Sequence, residues 1–156
     1  MPRFRGRTLT ALAVAALLAL AACGPKKDPI QVLVDELEKA VDERDVDGVR
    51  DRVTNDFRGQ GGISRAEALS MLGRYFLAYE KVDAEVYDLE VQRGQGSAEV
   101  KFRAEFSGKG QSFGGLDGLM PPGAAYLFQL HVVEQGGAWK VQSAAWEAVA
   151  PPEPGR

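Results

Sequence analysis

Acid–base chemistry in a small domain needs a carboxylate, a histidine or a tyrosine that can face a cavity. Asp56 and Arg58, which flank Phe57, are the best candidates for such a site. The carboxylate could act as a general base, and the guanidinium could hold an anionic ligand. A simpler interpretation is favoured, in which Asp56 caps a turn and Arg58 pairs with it at the surface.

Four aromatic side chains are candidates for the wall of a pocket near this pair: Tyr75, Tyr79, Tyr126 and Trp139. Burial in an ordinary core is the favoured interpretation of all four, because aromatic rings supply much of the burial in a small domain. The single histidine, His131, is expected on the outer face of its strand as a solvated side chain. No catalytic residue is therefore predicted.

A long glycine-rich loop is predicted over residues 107–123, and its apolar residues form a candidate lid: Phe113, Leu116, Leu119 and Met120. The loop lacks the Lys-Ser/Thr pair of a phosphate-binding loop. A lid over a pocket, a plug for the open end of the fold and a contact for another protein all stay open as interpretations.

The cysteine and histidine content limits the metal and redox chemistry of the chain. Cys23 is the only cysteine and His131 the only histidine, which excludes internal disulfides and multi-histidine metal sites. We expect no metal and no cofactor. Without residues 1–22, which carry three arginines and no acid, the net charge changes from −3 to −6. That negative charge argues against a nucleic-acid partner.

The N-terminus has the three parts of a secretory signal: arginines within the first seven residues, an apolar stretch, and small residues directly before Cys23. Residues 8–22 are fewer than the roughly 20 that a membrane span needs. The segment resembles the lipobox of bacterial lipoproteins, which implies a signal peptide over residues 1–22 and a lipidated tether over 23–28. Gly24 after the cysteine implies a lipid anchor in the outer membrane, facing the periplasm.

Helices are predicted in the first half of the mature chain, where apolar residues recur at helical spacing. The first begins at Pro29 after an Asp28 N-cap, and a short second helix follows around Val46. Ser64 and Glu67 form a capping box that starts the third.

Strands are predicted from residue 81 onward, where the period of the apolar residues changes to two. About four antiparallel strands joined mostly by hairpins follow, with a bulge near Asp88, whereas residues 55–62 are predicted as a turn-rich loop. The chain is thus an α+β domain over residues 29–149 with a disordered tail over 150–156. A strongly bent sheet would form a cone that the helices close.

Four segments in this order carry a family resemblance: Glu43–Val49, Asn55–Gly59, Gly61–Ala68 and Gly136–Val141 with the following Trp146-Glu147. They make the chain similar to the nuclear transport factor 2-like, or SnoaL-like, superfamily. The resemblance implies a cystatin-like cone of curved antiparallel sheet closed by N-terminal helices, often paired as a homodimer through the outer sheet face. That superfamily contains enzymes, ligand binders and noncatalytic partners, so membership does not name a function.

The favoured hypothesis is a noncatalytic, lipid-anchored domain that binds a small apolar ligand or a protein partner in the periplasm. It rests on the absence of an inward acid–base pair together with an aromatic-lined concavity. One alternative is an isomerase- or hydrolase-type enzyme that uses Asp56 and a tyrosine. The other is a structural envelope protein with a filled cone. The volume of the cavity and the ionisable groups that reach it distinguish the three.

Overall fold

Three α-helices and five strands make up the part of the chain that the computed structural model describes, residues 25–110 and 125–150. The helices are α1 Pro29–Asp42, α2 Val46–Asp51 and α3 Arg65–Ala78. The strands are β1 Val53–Gly59, β2 Tyr79–Arg93, β3 Ser97–Gly110, β4 Ala125–Gln135 and β5 Ala138–Val149. A short 3-10 turn, Gln60–Gly62, joins β1 to α3. The predicted α+β class is confirmed.

The starts of α1 and α3 follow from capping residues. Asp28 accepts hydrogen bonds from the backbone amides of Ile30 at 2.8 Å and Gln31 at 3.3 Å. At α3 the predicted capping box is complete, because Ser64 accepts from the Glu67 amide while the Glu67 carboxylate accepts from the Ser64 amide at 2.8 Å. These bonds satisfy amides that have no partner inside the helix, so each helix begins at a fixed residue.

The strands form one sheet in the order β1-β5-β4-β3-β2. β1 runs parallel to β5, and the other neighbours are antiparallel. The predicted bulge is present in β2, where the register against β3 shifts between Tyr87 and Glu90 and Asp88 has a φ of 55°. Such bulges increase the local twist of a strand and help a sheet to curve.

The prediction of a loop over residues 55–62 is wrong for residues 55–59, which belong to strand β1. Asn55, Asp56 and Gly59 are residue types typical of turns, which misled the prediction. The strand is held by long-range pairing, with Val53 opposite Val141 and Gly59 opposite Ala144 on β5. Tertiary pairing has here overridden local preference.

The prediction of a loop over residues 107–123 is wrong for residues 107–110, because β3 continues to Gly110 and pairs with β2 over this length, while the rest of the predicted loop lies outside the described residues. Gly108 lies so close to β2 that a Cβ atom there would be 2.4 Å from the carbonyl oxygen of Lys81. Glycine is therefore the residue that permits this close approach of two strands.

The strand parity predicted from the sequence is confirmed. One face of the sheet carries the buried side chains of Val100, Ala104, Leu130 and Val132, and α1 packs on this face. His131 lies on the opposite face, where its Nδ1 is 2.5 Å from a carboxylate oxygen of Glu99.

Candidate functional site

A cavity of about 260 Å³ lies between α3 and the inner face of the sheet. Residues from all three helices and from β1, β3, β4 and β5 line it, and nearly all of them are apolar or aromatic. Arg65 is the one charged side chain among the described residues that line the cavity, and these include no carboxylate and no histidine. The described wall is therefore apolar and aromatic, with one cationic side chain.

Residues on one face of α3 form one wall of this cavity. Arg65, Ala68, Leu69 and Leu72 occur at positions i, i+3, i+4 and i+7, which share one face of a helix. The capping box at Ser64 fixes where the helix begins and thereby which residues occupy this face. Only Phe76 and Ala78 of α3 are fully buried, because the cavity lies where its leucines would otherwise meet the sheet.

The sheet side of the cavity is aromatic. Phe106, Phe128 and Trp146 come from β3, β4 and β5, and Phe128 lies directly opposite Trp146 in the register. The Phe128 ring centroid is 6.2 Å from that of Phe106 and 6.3 Å from that of Trp146. Ring pairs at these distances stabilise one another, so this surface is held in place without a ligand.

Of the four aromatic residues predicted for a pocket wall, the structure places Tyr75 on the cavity and the other three elsewhere. Tyr79 and Tyr126 are buried in the adjoining core, and Trp139 is half-buried near the start of β5. Burial, reinforced by the neighbouring Tyr79 and Tyr126 hydroxyls, raises the pKa of Tyr75 to about 12. At neutral pH Tyr75 is therefore an uncharged phenol, unsuited to act as a base.

Asp56 and Arg58 do not reach the cavity. Side chains alternate along β1, so the inward Phe57 leaves its two neighbours exposed on the other side. The nearby Thr54 hydroxyl and the Gln142 amide, 3.0 Å away, hold the pKa of Asp56 below its usual range. The pair therefore lies at the surface, and neither side chain lines the cavity.

Arg65 is the functional candidate that the sequence analysis missed. Its Nη2 donates a hydrogen bond to the backbone carbonyl of Arg50 at 2.9 Å. Its Nε is buried and has no hydrogen-bond partner among the described residues. The sequence signal was present, because Arg65 lies on the same helical face as Ala68, Leu69 and Leu72.

Four predicted features lie outside the described residues: the signal peptide over residues 1–22, the lipidation site Cys23, the candidate lid of Phe113, Leu116, Leu119 and Met120, and all of the 150–156 tail except its first residue. Within the described ranges, no three His, Cys, Asp or Glu side chains come together in a group that could hold a metal ion. No helix within those ranges is long and apolar enough to cross a membrane.

No protein-family model and no curated protein sequence matches the chain. Solved structures do match it. A proposed scytalone dehydratase from Novosphingobium aromaticivorans aligns with a TM-score of 0.67 at 10% identity, over 88% of this chain and 89% of that one. An uncharacterised protein with a cystatin-like fold from Caulobacter vibrioides has a TM-score of 0.66 at 18% identity, over 82% and 92%.

An NTF2-like protein from Cytophaga hutchinsonii aligns with a TM-score of 0.61 at 14% identity, over 81% of this chain and 100% of that one. The chain spans 40% of the length of another similar structure, the longer Bd1075 from Bdellovibrio bacteriovorus. These similarities establish the fold: the chain has the nuclear transport factor 2-like, cystatin-like architecture that its sequence predicted. They do not carry over the activity of any of these proteins.

Proposed function

We propose that this protein is a noncatalytic, lipid-anchored domain of the periplasm that binds a small apolar ligand in the cavity under α3. The observation that carries the proposal is the 260 Å³ cavity, whose described wall consists of apolar and aromatic side chains and one arginine, with no carboxylate or histidine among those residues. Concave, mostly apolar sites with few polar groups are typical of small-molecule binding sites.

The volume of the cavity limits the size of the ligand. An engineered apolar cavity of about 150 Å³ binds benzene, whereas pockets for drug-sized molecules begin at about 300 Å³. At 260 Å³ the cavity suits a molecule larger than benzene and smaller than most drugs.

An enzymatic function is less well supported by the same geometry. One structural neighbour is a proposed scytalone dehydratase. Dehydration needs a group that takes a proton and a group that gives one within reach of the substrate. Here Asp56 is outside the cavity, and Tyr75, with a pKa of about 12, lies beside no carboxylate among the residues that line it. The cavity under α3 also disfavours the other alternative, a structural envelope protein with a filled cone.

The lipid anchor rests on the sequence around Cys23. Residues 24–28 would form the whole tether, and at roughly 3.5 Å per extended residue they would keep the domain close to the bilayer. We expect radiolabelled palmitate to be incorporated into the protein in its host and Cys23→Ser to abolish the label. A labelled Cys23→Ser variant would contradict the assignment.

Ligand binding can be tested with the two tryptophans, because one lines the cavity and the other does not. Octanol, as a neutral apolar probe, should shift the emission of Trp146 to shorter wavelength by displacing water from its ring. The response should persist in Trp139→Phe and disappear in Trp146→Phe. A response that both variants retain, or the absence of any response, would contradict binding in this cavity.

Mass spectrometry under native conditions provides a second test on protein purified from its own host. A small molecule that copurifies and that is lost in a variant with a filled cavity would support the proposal. A clean mass for the ligand-free protein would count against it.

A further inference from the structure

The described wall of the cavity is apolar or aromatic except at one position. Arg65 stands at the start of α3, and the aromatic floor is formed by residues such as Phe106 and Phe128. A ligand complementary to this surface is apolar over most of its length and has one acceptor group for the guanidinium. The asymmetry of the wall therefore selects for an amphipathic molecule.

Not all N–H donors of the Arg65 guanidinium have a hydrogen-bond acceptor among the described residues. One of its nitrogens, Nη2, is occupied by the Arg50 carbonyl, while Nε is buried without a partner. Over residues 25–110 and 125–150, no carboxylate lies within salt-bridge distance of Arg65. Protein atoms close off Nε, so a ligand would bind the terminal nitrogens of the guanidinium, of which Nη1 has no hydrogen-bond partner among the described residues. A charged group with a donor left over is suited to a ligand that brings an acceptor.

The number of cationic side chains in the wall indicates which acceptor group the ligand carries. A guanidinium matches a planar carboxylate through two parallel N–H···O bonds. A phosphate monoester carries close to two negative charges and is usually bound by more than one cationic or amide donor. Arg65 is the one cation among the residues of this wall that the structure describes, which favours a carboxylate.

We propose that the ligand is an aliphatic carboxylate whose carboxyl group binds Arg65 and whose hydrocarbon chain fills the apolar cavity. This inference rests on the proposed function and names the class of its ligand. Arg65 is then the residue that determines specificity, and the apolar wall supplies the affinity that grows with chain length.

Isothermal titration of the purified protein with octanoate and with octanol tests the role of the charge. In Arg65→Met, which keeps an apolar stem of similar length, octanoate should bind about ten- to a hundredfold more weakly, the range for a hydrogen bond to a charged group. Octanol should change by less than about threefold, because it lacks the carboxylate. Arg74→Met provides the matched control, since Arg74 is exposed on the same helix and does not line the cavity.

The length of the chain tests the apolar part. From hexanoate to octanoate, affinity for the wild-type protein should rise about fourfold per methylene, which corresponds to about 0.8 kcal/mol for each buried CH₂. The same increment should appear in Arg65→Met, because the wall is unchanged. An affinity independent of chain length would overturn the proposal.

Other outcomes separate this inference from the proposed function. If Arg65→Met weakens octanoate and octanol equally, Arg65 only packs, and the carboxylate assignment is overturned while apolar binding stands. If Arg74→Met weakens octanoate as much, general electrostatic attraction replaces a specific site. If neither probe binds the wild-type protein, both proposals fail. Arg65→Gln is the second variant should the methionine variant not fold, and it should show the same selective loss of octanoate.

Discussion

The space between the helices and the sheet is solid at one end and hollow at the other. At the packed end, Ile30, Leu33 and Val34 of α1 belong to the same buried cluster as Val100 and Val132 of the sheet, and none of these five is more than 3% exposed. At the hollow end, α3 faces the aromatic floor across the cavity, and its lining residues stay partly accessible. Both ends are built from apolar residues, so hydrophobicity alone does not explain the difference.

The difference lies in how well shape and volume match. Branched side chains of α1 meet small β-branched residues of the sheet, and such surfaces interdigitate without a void. On α3 the small Ala68 borders the cavity, and the mutual contacts of the Phe106, Phe128 and Trp146 rings, which are edge-on and tilted, hold the opposite wall in place. We infer that α1 provides most of the stability of the domain and that α3 provides the binding site.

The largest expected effect is the loss of stability when the packed end is truncated. Leu33→Ala should lower the free energy of unfolding by about 2–5 kcal/mol, because a fully buried leucine leaves a new cavity. Leu69→Ala on α3 should lower it by only about 1 kcal/mol, because this side chain already borders a void and is partly exposed. Urea unfolding of the two variants measures both values. Equal losses would contradict the division into a packed and a hollow end.

Filling each end with the same substitution should change stability in opposite directions. Ala68→Leu places three more carbons in the cavity and should raise the free energy of unfolding by about 0.5–2 kcal/mol while abolishing octanol binding. Ala104→Leu at a buried position of β3 should lower it by about 1–3 kcal/mol, because there is no room for the added carbons.

Thermal unfolding and titration of both leucine variants check this pair of outcomes. A destabilised Ala68→Leu protein would mean that the cavity is already occupied by side chains in solution. Retained octanol binding in the same variant would mean that the probe binds elsewhere.

A smaller effect is expected where α1 covers the free edge of the sheet. The Glu38 carboxylate accepts a hydrogen bond from the Val86 amide of β2 at 3.2 Å, and that of Asp42 accepts from the Ala84 amide at 2.6 Å. Burial raises the pKa of Glu38 despite its bond to Val86, with help from neighbouring acids that include Asp42. The folded state therefore favours protonated Glu38. This contribution to stability is complete below the ordinary pKa and is lost as the pH rises through the raised one.

Glu38→Gln should accordingly raise the free energy of unfolding at pH 7 by a few tenths of a kcal/mol, the scale of partly exposed charges. The amide oxygen still accepts from Val86, and the gain should shrink as the pH falls through the raised pKa of Glu38, because the wild-type carboxyl then takes up its proton. Urea unfolding at pH 7 and at about pH 4 measures the difference. Glu90→Gln, at an exposed position of β2, is the control, and an equal gain there would show that net charge alone is responsible.

Local signals in the sequence predicted a large part of the fold. The Ser64–Glu67 capping box and the period-two pattern of residues 98–106 act between near neighbours, and both are present in the structure. Strand β1 could not be predicted in this way, because its turn-type residues are held by pairing with β5, far along the chain.

The site was harder to predict than the fold. Arg65 was assigned only to the start of a helix, although its spacing from Leu69 and Leu72 places it on the apolar face. Whether that face meets the sheet or leaves a gap depends on side-chain volumes from three helices and four strands, which no local pattern contains. For the same reason Asp56 looked like a candidate for a pocket until the alternation of β1 placed it outside.

The central claim, that one end of the domain is an accessible apolar cavity, can be tested most directly with xenon. Xenon enters apolar cavities without needing a polar contact. In crystals of the protein under xenon pressure, we expect one strong xenon peak in contact with Leu72 and Phe128 and none between α1 and Val100. The account would be contradicted by an empty hollow end, with the rings of Phe106 and Phe128 closed over the cavity, or by xenon at the packed end instead.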